Sequence, residues 1–261
     1  MINLKATIKQ NLKDILPKHL YKSIVLLKYK GNKYKCPFCN GHFSSLMPAG
    51  LNLPVLKEKQ VIGAGYRLNS KCPQCSSGDR ERLVYLYLKK EKPYIFSSKI
   101  KLLHIAPEKN LTTTFKSHSN IDYISADLYS PVADIKMDIT DIKQNNETYD
   151  VIICNHVLEH IINDHKAMTE LHRVLKKKGF AILQVPISYS IEQTFEDESI
   201  TSPEDREKIF GQDDHVRIYA HDYVSRLTKA GFTVVEYQFT DDIIDRYRLI
   251  KEEKVFVCYK S

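Results

Sequence analysis

Two cysteine pairs carry the plainest chemistry in the sequence. Cys36-Pro-Phe-Cys39 and Cys72-Pro-Gln-Cys75 stand with 32 residues between them. Two residues between thiolates let a tight turn aim both sulfurs at one ion. Two such knuckles complete a tetrahedral shell with no position open for catalysis. The spacing predicts structural zinc on Cys36, Cys39, Cys72 and Cys75. A disulfide framework needs an oxidising compartment, and a redox pair would not need a second copy. His42 stands close in sequence, but four thiolates suffice. Cys154 and Cys258 lie in apolar runs and read as buried, inert thiols. A second group is His156-x-x-Glu159-His160 within "CNHVLEHI". Two histidines and a glutamate at that spacing can hold a catalytic zinc and supply a base for peptide hydrolysis. The run begins where an apolar strand pattern gives way to a helix, not inside one long helix, which argues against that chemistry.

The surrounding elements must position these residues. From Gly78, "GDRERLVYLYLKKEKPY" reads as a helix closed at Pro93, with Arg80 and Arg82 at its start beside the second knuckle. Those arginines face either solvent or a cleft holding an anionic ligand. After Pro93 come apolar strands "KLLHIA", "IDYISADL", "YDVIICN", "GFAILQVPI", "TVVEYQF" and "KVFVCYK". Between them lie helical stretches, including "IINDHKAMTELHRVLKKKG" and "HDYVSRLTKAGF", the latter stopped at Gly231. Alternation at this spacing predicts a parallel, doubly wound sheet. Ligands of such sheets sit beyond the carboxyl ends of the strands. Glu108, Asp127, Asp138, Asn155, His156 and Pro186 stand at those ends.

With 261 residues, 43% hydrophobic and 27% charged, the chain can bury a sizeable core. No apolar run is long enough to cross a bilayer and no secretory signal pattern opens the chain, so a soluble, cytoplasmic protein is expected. The net charge of +7 is uneven: residues 1–35 hold nine lysines against Asp14, so the rest is close to neutral. A neutral body argues against a grip on long nucleic acid. Within the basic segment, Leu4, Ile8, Leu12 and Ile15, then Leu20, Ile24 and Leu27 beyond Pro17, recur at helical spacing. Packing of that stripe on the main domain is the favoured reading, and peripheral contact with an anionic membrane surface the alternative. The partition expected is 1–35 basic amphipathic segment, 36–95 zinc ribbon and linking helix, 96–261 catalytic domain.

From Lys101 to about Val185 the chain resembles class I S-adenosylmethionine-dependent methyltransferases. The resemblance rests on "YISADL", "KMDITD", "YDVIICNHVLEHI" and "ELHRVLKKKGFAILQVP" in that order. It implies a doubly wound Rossmann-like methyltransferase sheet bearing a small N-terminal four-cysteine zinc-ribbon domain. Asp127 then holds the ribose, with Leu128 beside it, and Asp138 with Ile139 meets the adenine edge. His104, Ala106, Glu108, Asn155 and His156 join the cofactor site. The first turn, "LLHIAPEKNLT", departs from the family in lacking glycine. "HIAPE" and the later "EDESITSPEDREKIFGQDDHVRIY" are similar to zinc-ribbon methyltransferases of bacterial polysaccharide clusters. That similarity implies a small polar or glycan-precursor substrate.

Methyl transfer to a hydroxyl needs alignment and a base near neutrality, which suits histidine. His160 and His215 are the expected bases, with Asp214 and Arg217 orienting His215. Arg206, Asp213, Asp214 and Arg217 are the expected substrate contacts. Two readings compete: an rRNA guanine methyltransferase, and a non-catalytic module that binds S-adenosylmethionine.

Overall fold

The strands of the body are continuous apolar runs because both of their faces are covered. The computed structural model describes residues 17–261. Leu4, Ile8, Leu12 and Ile15 lie outside that range. In chain order come α1 (Lys18–Tyr29), β1 (Lys30–Lys35), β2 (His42–Phe43), β3 (Met47–Ala49), α2 (Pro54–Glu58) and β4 (Arg67–Lys71). Next are α3 (Asp79–Glu91), β5 (Ile100–Ile105), α4 (Lys109–Lys116), β6 (Ile121–Asp127), β7 (Ile135–Lys136) and β8 (Tyr149–Asn155). Then follow α5 (Asp164–Val174), β9 (Leu175–Gln184), β10 (Phe195–Glu196), α6 (Pro203–Phe210) and β11 (Arg217–Ile218). The chain ends with α7 (Tyr223–Lys229), β12 (Thr233–Tyr237), α8 (Asp241–Tyr247) and β13 (Val255–Tyr259).

Seven strands form one Rossmann-like sheet in the order β12-β13-β9-β8-β5-β6-β7. Alternate residues of the central strands face opposite layers. Leu103, Ile105, Ile152 and Cys154 pack with Met168 and Leu171 of α5 and Tyr223 and Leu227 of α7. Leu102, Val151 and Ile153 pack with Leu83 and Leu88 of α3 and Leu111 and Phe115 of α4. The sheet is therefore covered by helices on both sides. It departs from the all-parallel expectation in β13, which runs antiparallel to both β9 and β12. Only α8 and its flanking turns separate β12 from β13, so the chain returns beside its neighbour instead of crossing over.

The helix expected over 161–179 is shorter than its sequence pattern. The Asn163 side chain accepts from Lys166 N at 2.9 Å and starts α5 late. After Val174 the chain becomes extended, and Leu175 pairs with Tyr149 as the first residue of β9. The stripe of α1 also differs from expectation. Leu20, Ile24 and Leu27 are exposed, while Leu26 and Tyr29 pack against the cysteine knuckles.

Two antiparallel ladders, β1 with β2 and β3 with β4, build the ribbon around Tyr34, Phe43 and Leu46. The ribbon is tied to the sheet by Arg82, which is wholly buried. Its guanidinium donates to the carbonyls of Ser70 and Ser77, at 2.8 and 2.9 Å, in the ribbon. It also donates to those of Tyr247 and Arg248, both at 2.9 Å, at the far end of the chain. Beside it Arg67 grips Asp79 through two bonds, at 2.8 and 3.1 Å. Although burial opposes it, that guanidinium holds the Asp79 carboxyl below its usual range. Arg82→Met keeps the stem but strips four carbonyls, two of them in buried bonds, of their donor. It is expected to lower stability by about 3 kcal/mol or more, read as the urea midpoint. An unchanged midpoint would show that those carbonyls have other partners.

Candidate functional site

The two knuckles converge as their spacing requires. Cys36 Sγ lies 3.5 Å from Cys75 Sγ, Cys39 Sγ lies 3.7 Å from Cys72 Sγ, and all four sulfurs lie within 4.8 Å of one another. Hydrogen bonds with Cys39, Cys72 and Cys75 hold the Cys36 thiol well below its ordinary value. Four convergent thiols in a half-buried cluster suit a closed tetrahedral ion site. His42 stands outside this group, exposed on β2.

Beyond the carboxyl ends of β5, β6 and β8 lies a cavity of about 230 Å³. Ile105, Leu128, Met137, Ile139 and Val157 give it apolar walls, and Asp127 and Asp138 stand at its rim. Asp127 Oδ1 accepts from the backbone N–H groups of Tyr129 and Ser130, at 2.8 and 2.7 Å. Those bonds fix the carboxylate and leave Oδ2 for a ligand. Asp138 Oδ1 accepts from Thr140 N at 2.8 Å, which holds the turn after β7. Ala106 adopts the left-handed conformation (φ 47°) that the missing glycine would take, so the first turn keeps its shape without one.

His104, Glu108 and Asn155, expected as cofactor contacts, do not line this cavity. His104 is fully buried, and its two ring nitrogens lie 3.1 Å from the Tyr123 hydroxyl and 2.8 Å from Glu108 Oε2. No ring nitrogen is left for a ligand. Asn155 Nδ2 donates to Glu108 Oε1 at 3.1 Å, and Arg80 closes the network at 3.3 Å. These residues hold the strand ends together behind the cavity. Ala106, Asp127, Leu128, Asp138, Ile139 and His156 do line it.

A second cavity, of about 300 Å³, adjoins the first. His156 and His160 line both and form the wall between them. Its far side is built by the segment between the knuckles: Gly50, Leu51, Leu56, Gly63, Gly65 and Arg67. That segment is held by a backbone bridge from Ile62 to Ile187 and by Leu56, which packs with Phe210 of α6. Gly211 ends α6 at φ 89°, and a Cβ there would stand 2.3 Å from Leu56 Cδ2. Arg80 and Glu159 complete the wall.

His160 sits in a single 3-10 turn, Leu158–His160, rather than within the expected helix. Its Nδ1 lies 3.1 Å from Asp214 Oδ2, and its ring meets His215 edge-on at 4.6 Å between centroids. Burial lowers the His160 pKa, against the pull of Asp214. Burial, with His160 adjacent, brings His215 down to about 4. Asp214 thus orients His160, not His215 as the sequence suggested. The other expected substrate residues face elsewhere. The buried Arg217 donates to the carbonyls of Leu158, Ile161 and Ile162 and pairs with Glu196 at 2.7 Å. It fixes the turn carrying His160 and is not free to meet a substrate. Arg206 donates to Ile200 O at 3.2 Å and borders a separate surface hollow. Asp213 is exposed and lines neither cavity.

Sequence reasoning missed the inter-knuckle residues, Glu159 as a site residue, and Glu253. The run Gly63-Ala64-Gly65 was the visible signal for the inter-knuckle residues, and the His156-x-x-Glu159-His160 run for Glu159. Glu159 and Glu253 are buried with both carboxyl oxygens lacking a hydrogen-bond partner among the described residues, and burial raises each to about 8.

A family model described as a methyltransferase domain matches residues 88–237. No curated protein matches the chain. Among solved structures, a carbon methyltransferase is 18% identical with TM-score 0.45, over 70% of this chain and 53% of its own. A SAM-dependent methyltransferase from Archaeoglobus fulgidus is 14% identical with TM-score 0.44, over 69% of this chain and 93% of its own. The Burkholderia thailandensis 1,6-didemethyltoxoflavin-N1-methyltransferase, solved with 1,6-didemethyltoxoflavin and S-adenosylhomocysteine, is 12% identical with TM-score 0.46. It is matched over 69% of this chain and 76% of its own. The chain thus spans about half the length of the first of these.

Glu253 leaves a signature in stability. Its ordinary value is 4.5; burial and the nearby Asp79 carboxylate raise it to about 8, against the pull of Arg67 and Arg80. The folded state therefore keeps a proton that the unfolded state releases, and stability falls as pH rises through that window. Glu159 acts in the same direction. The histidines lowered by burial oppose this only below about pH 6.5, where the unfolded chain begins to protonate. Between about pH 6.5 and 8 stability should decline, each carboxyl contributing on the order of 1 kcal/mol per pH unit. Glu253→Gln should remove roughly half of the slope. A flat wild-type profile in thermal melts would contradict this.

Proposed function

Since the chain belongs to the methyltransferase-domain family, we propose that it methylates a hydroxyl of a small polar acceptor, using S-adenosylmethionine. The acceptor class that fits best is a nucleotide sugar or surface-polysaccharide precursor. One observation carries the reading. His160 stands in the wall between two adjoining cavities, one rimmed by Asp127 and the other roofed by the ribbon segment. A cavity of about 300 Å³ suits a small ligand rather than folded RNA. Arg80 on its wall favours an anionic acceptor. The glycine-free turn does not require a non-catalytic module, because Ala106 supplies the conformation.

Bound S-adenosylmethionine supplies an electrophilic methyl group. Asp127 Oδ2 would accept from the ribose hydroxyls, and Asp138 with Ile139 would flank the adenine. Leu128, Met137 and Val157 exclude water from that cavity. His160, kept neutral by burial, would take the acceptor proton on Nε2, while Asp214 receives Nδ1–H and steadies the imidazolium that forms. His215 packs edge-on to that ring and limits its rotation.

The four cysteines would hold a structural zinc, and with it the inter-knuckle segment over the acceptor cavity. Beside the knuckles, exposed Leu20, Ile24 and Leu27 alternate with Lys22 and Lys28 on α1, which supports peripheral contact with an anionic surface.

Asp127→Ala should weaken S-adenosylmethionine binding by about 2–3 kcal/mol in calorimetry, the scale of bonds to a charged group. His160→Ala should bind cofactor normally and lower turnover by roughly 10²–10⁴-fold in a labelled-methyl screen of nucleotide sugars. Wild-type turnover in that variant would remove His160 as the base. Freshly purified chain should carry one zinc equivalent that Cys72→Ser abolishes. Metal analysis finding none would refute the ribbon site.

A further inference from the structure

We propose that Glu159, His160 and His215 form a binding site for a first-row divalent transition-metal ion in the wall between the two cavities. Each offers one ligand atom, and these atoms lie within 4.8 Å of one another. His160 Nε2 is 3.9 Å from Glu159 Oε1. Glu159 is 1% exposed, and neither of its oxygens has a hydrogen-bond partner among the described residues. A buried carboxyl without a donor is costly unless something cationic satisfies it.

The surroundings are arranged as they are around metal ligands. Asp214 Oδ2 lies 3.1 Å from His160 Nδ1, which leaves Nε2 free to ligate, and Gln212 Nε2 steadies Asp214 Oδ1 at 2.8 Å. Outer bonds of this kind set a histidine's tautomer and direction. The two segments are also joined directly, since Val216 N donates to Glu159 O at 2.9 Å. Arg217 clamps the turn from beneath through three carbonyls. Two imidazoles and one carboxylate favour zinc, cobalt or their neighbours over calcium or magnesium, which take oxygen shells.

This is not the peptidase arrangement suggested by His156-x-x-Glu159-His160. His215 replaces His156, whose backbone is left-handed at φ 53°. Three protein ligands leave positions for water or an acceptor oxygen. The existence of the site does not depend on the proposed methyl transfer, but its role does. A hydroxyl bound to the ion ionises more readily and releases its proton to solvent. The ion would then replace His160 as the means of activation, because both uses occupy Nε2.

The test is a Co²⁺ titration of zinc-replete full-length chain, followed by calorimetry and visible absorption. One further equivalent should bind and show d–d bands without sulfur-to-cobalt charge transfer. Glu159→Gln and His215→Ala should each weaken it at least tenfold, and Asp214→Asn by about 10–100-fold. The absence of an extra equivalent, a sulfur charge-transfer band, or undiminished binding in both Glu159→Gln and His215→Ala would overturn the site. If a variant fails to fold, the wild-type stoichiometry and band type still decide. S-adenosylmethionine calorimetry on the same sample separates the two ideas: cobalt binding without cofactor binding would remove the transfer reading and leave the ion site standing.

Discussion

The buried guanidinium of Arg82 is the constraint on which the site depends. A charge there is tolerable only because four backbone carbonyls receive its protons, two from the ribbon and two from the turn after α8. Burial lowers its pKa, and the adjacent Asp79 and cysteine cluster oppose that. Replacing any partner leaves polar atoms stranded in a low-dielectric interior. The ribbon is therefore docked in one orientation, and its inter-knuckle segment meets the carboxyl ends of the strands. The cavity between that segment and the strand ends exists because of that docking.

The same device recurs at Arg217, which gathers the carbonyls of Leu158, Ile161 and Ile162. These groups belong to the irregular turn between β8 and α5, where no ladder or helix satisfies them. An arginine fork gives a turn the rigidity that regular structure would otherwise provide. His160 inherits its position from this clamp. Glu108 plays the matching role behind the cavity lined by Asp127 and Asp138, joining Arg80, His104 and Asn155 across three segments.

Much of this was legible in advance. Continuous apolar runs announced β5, β8 and β9, because a strand covered on both faces has no polar side to show. The cysteine spacing announced the ribbon, and Asp127 and Asp138 fell where strand order places ligands. Direction was harder: nothing in "KVFVCYK" distinguishes an antiparallel β13 from a parallel one. Charged residues were hardest. Arg217 and His104 look like ligand contacts in a string of letters, but partners 55–59 residues away for Arg217 and 19 away for His104 make them structural. The inter-knuckle segment escaped notice because its work is done against residues more than 100 positions later, Ile187 and Phe210 among them.

That distance bears on how the protein is made. Arg82 bonds to Tyr247 and Arg248, separated from it by 165 and 166 residues. Closing so long a loop is slow and must precede the contacts that reward it. The knuckles leave the ribosome early, yet two of the carbonyls that fix Arg82 arrive only with the last helix of the fold. The cavity under the inter-knuckle segment thus depends on contacts that close late in synthesis. Residues far apart in the chain must therefore meet before that cavity has both of its walls.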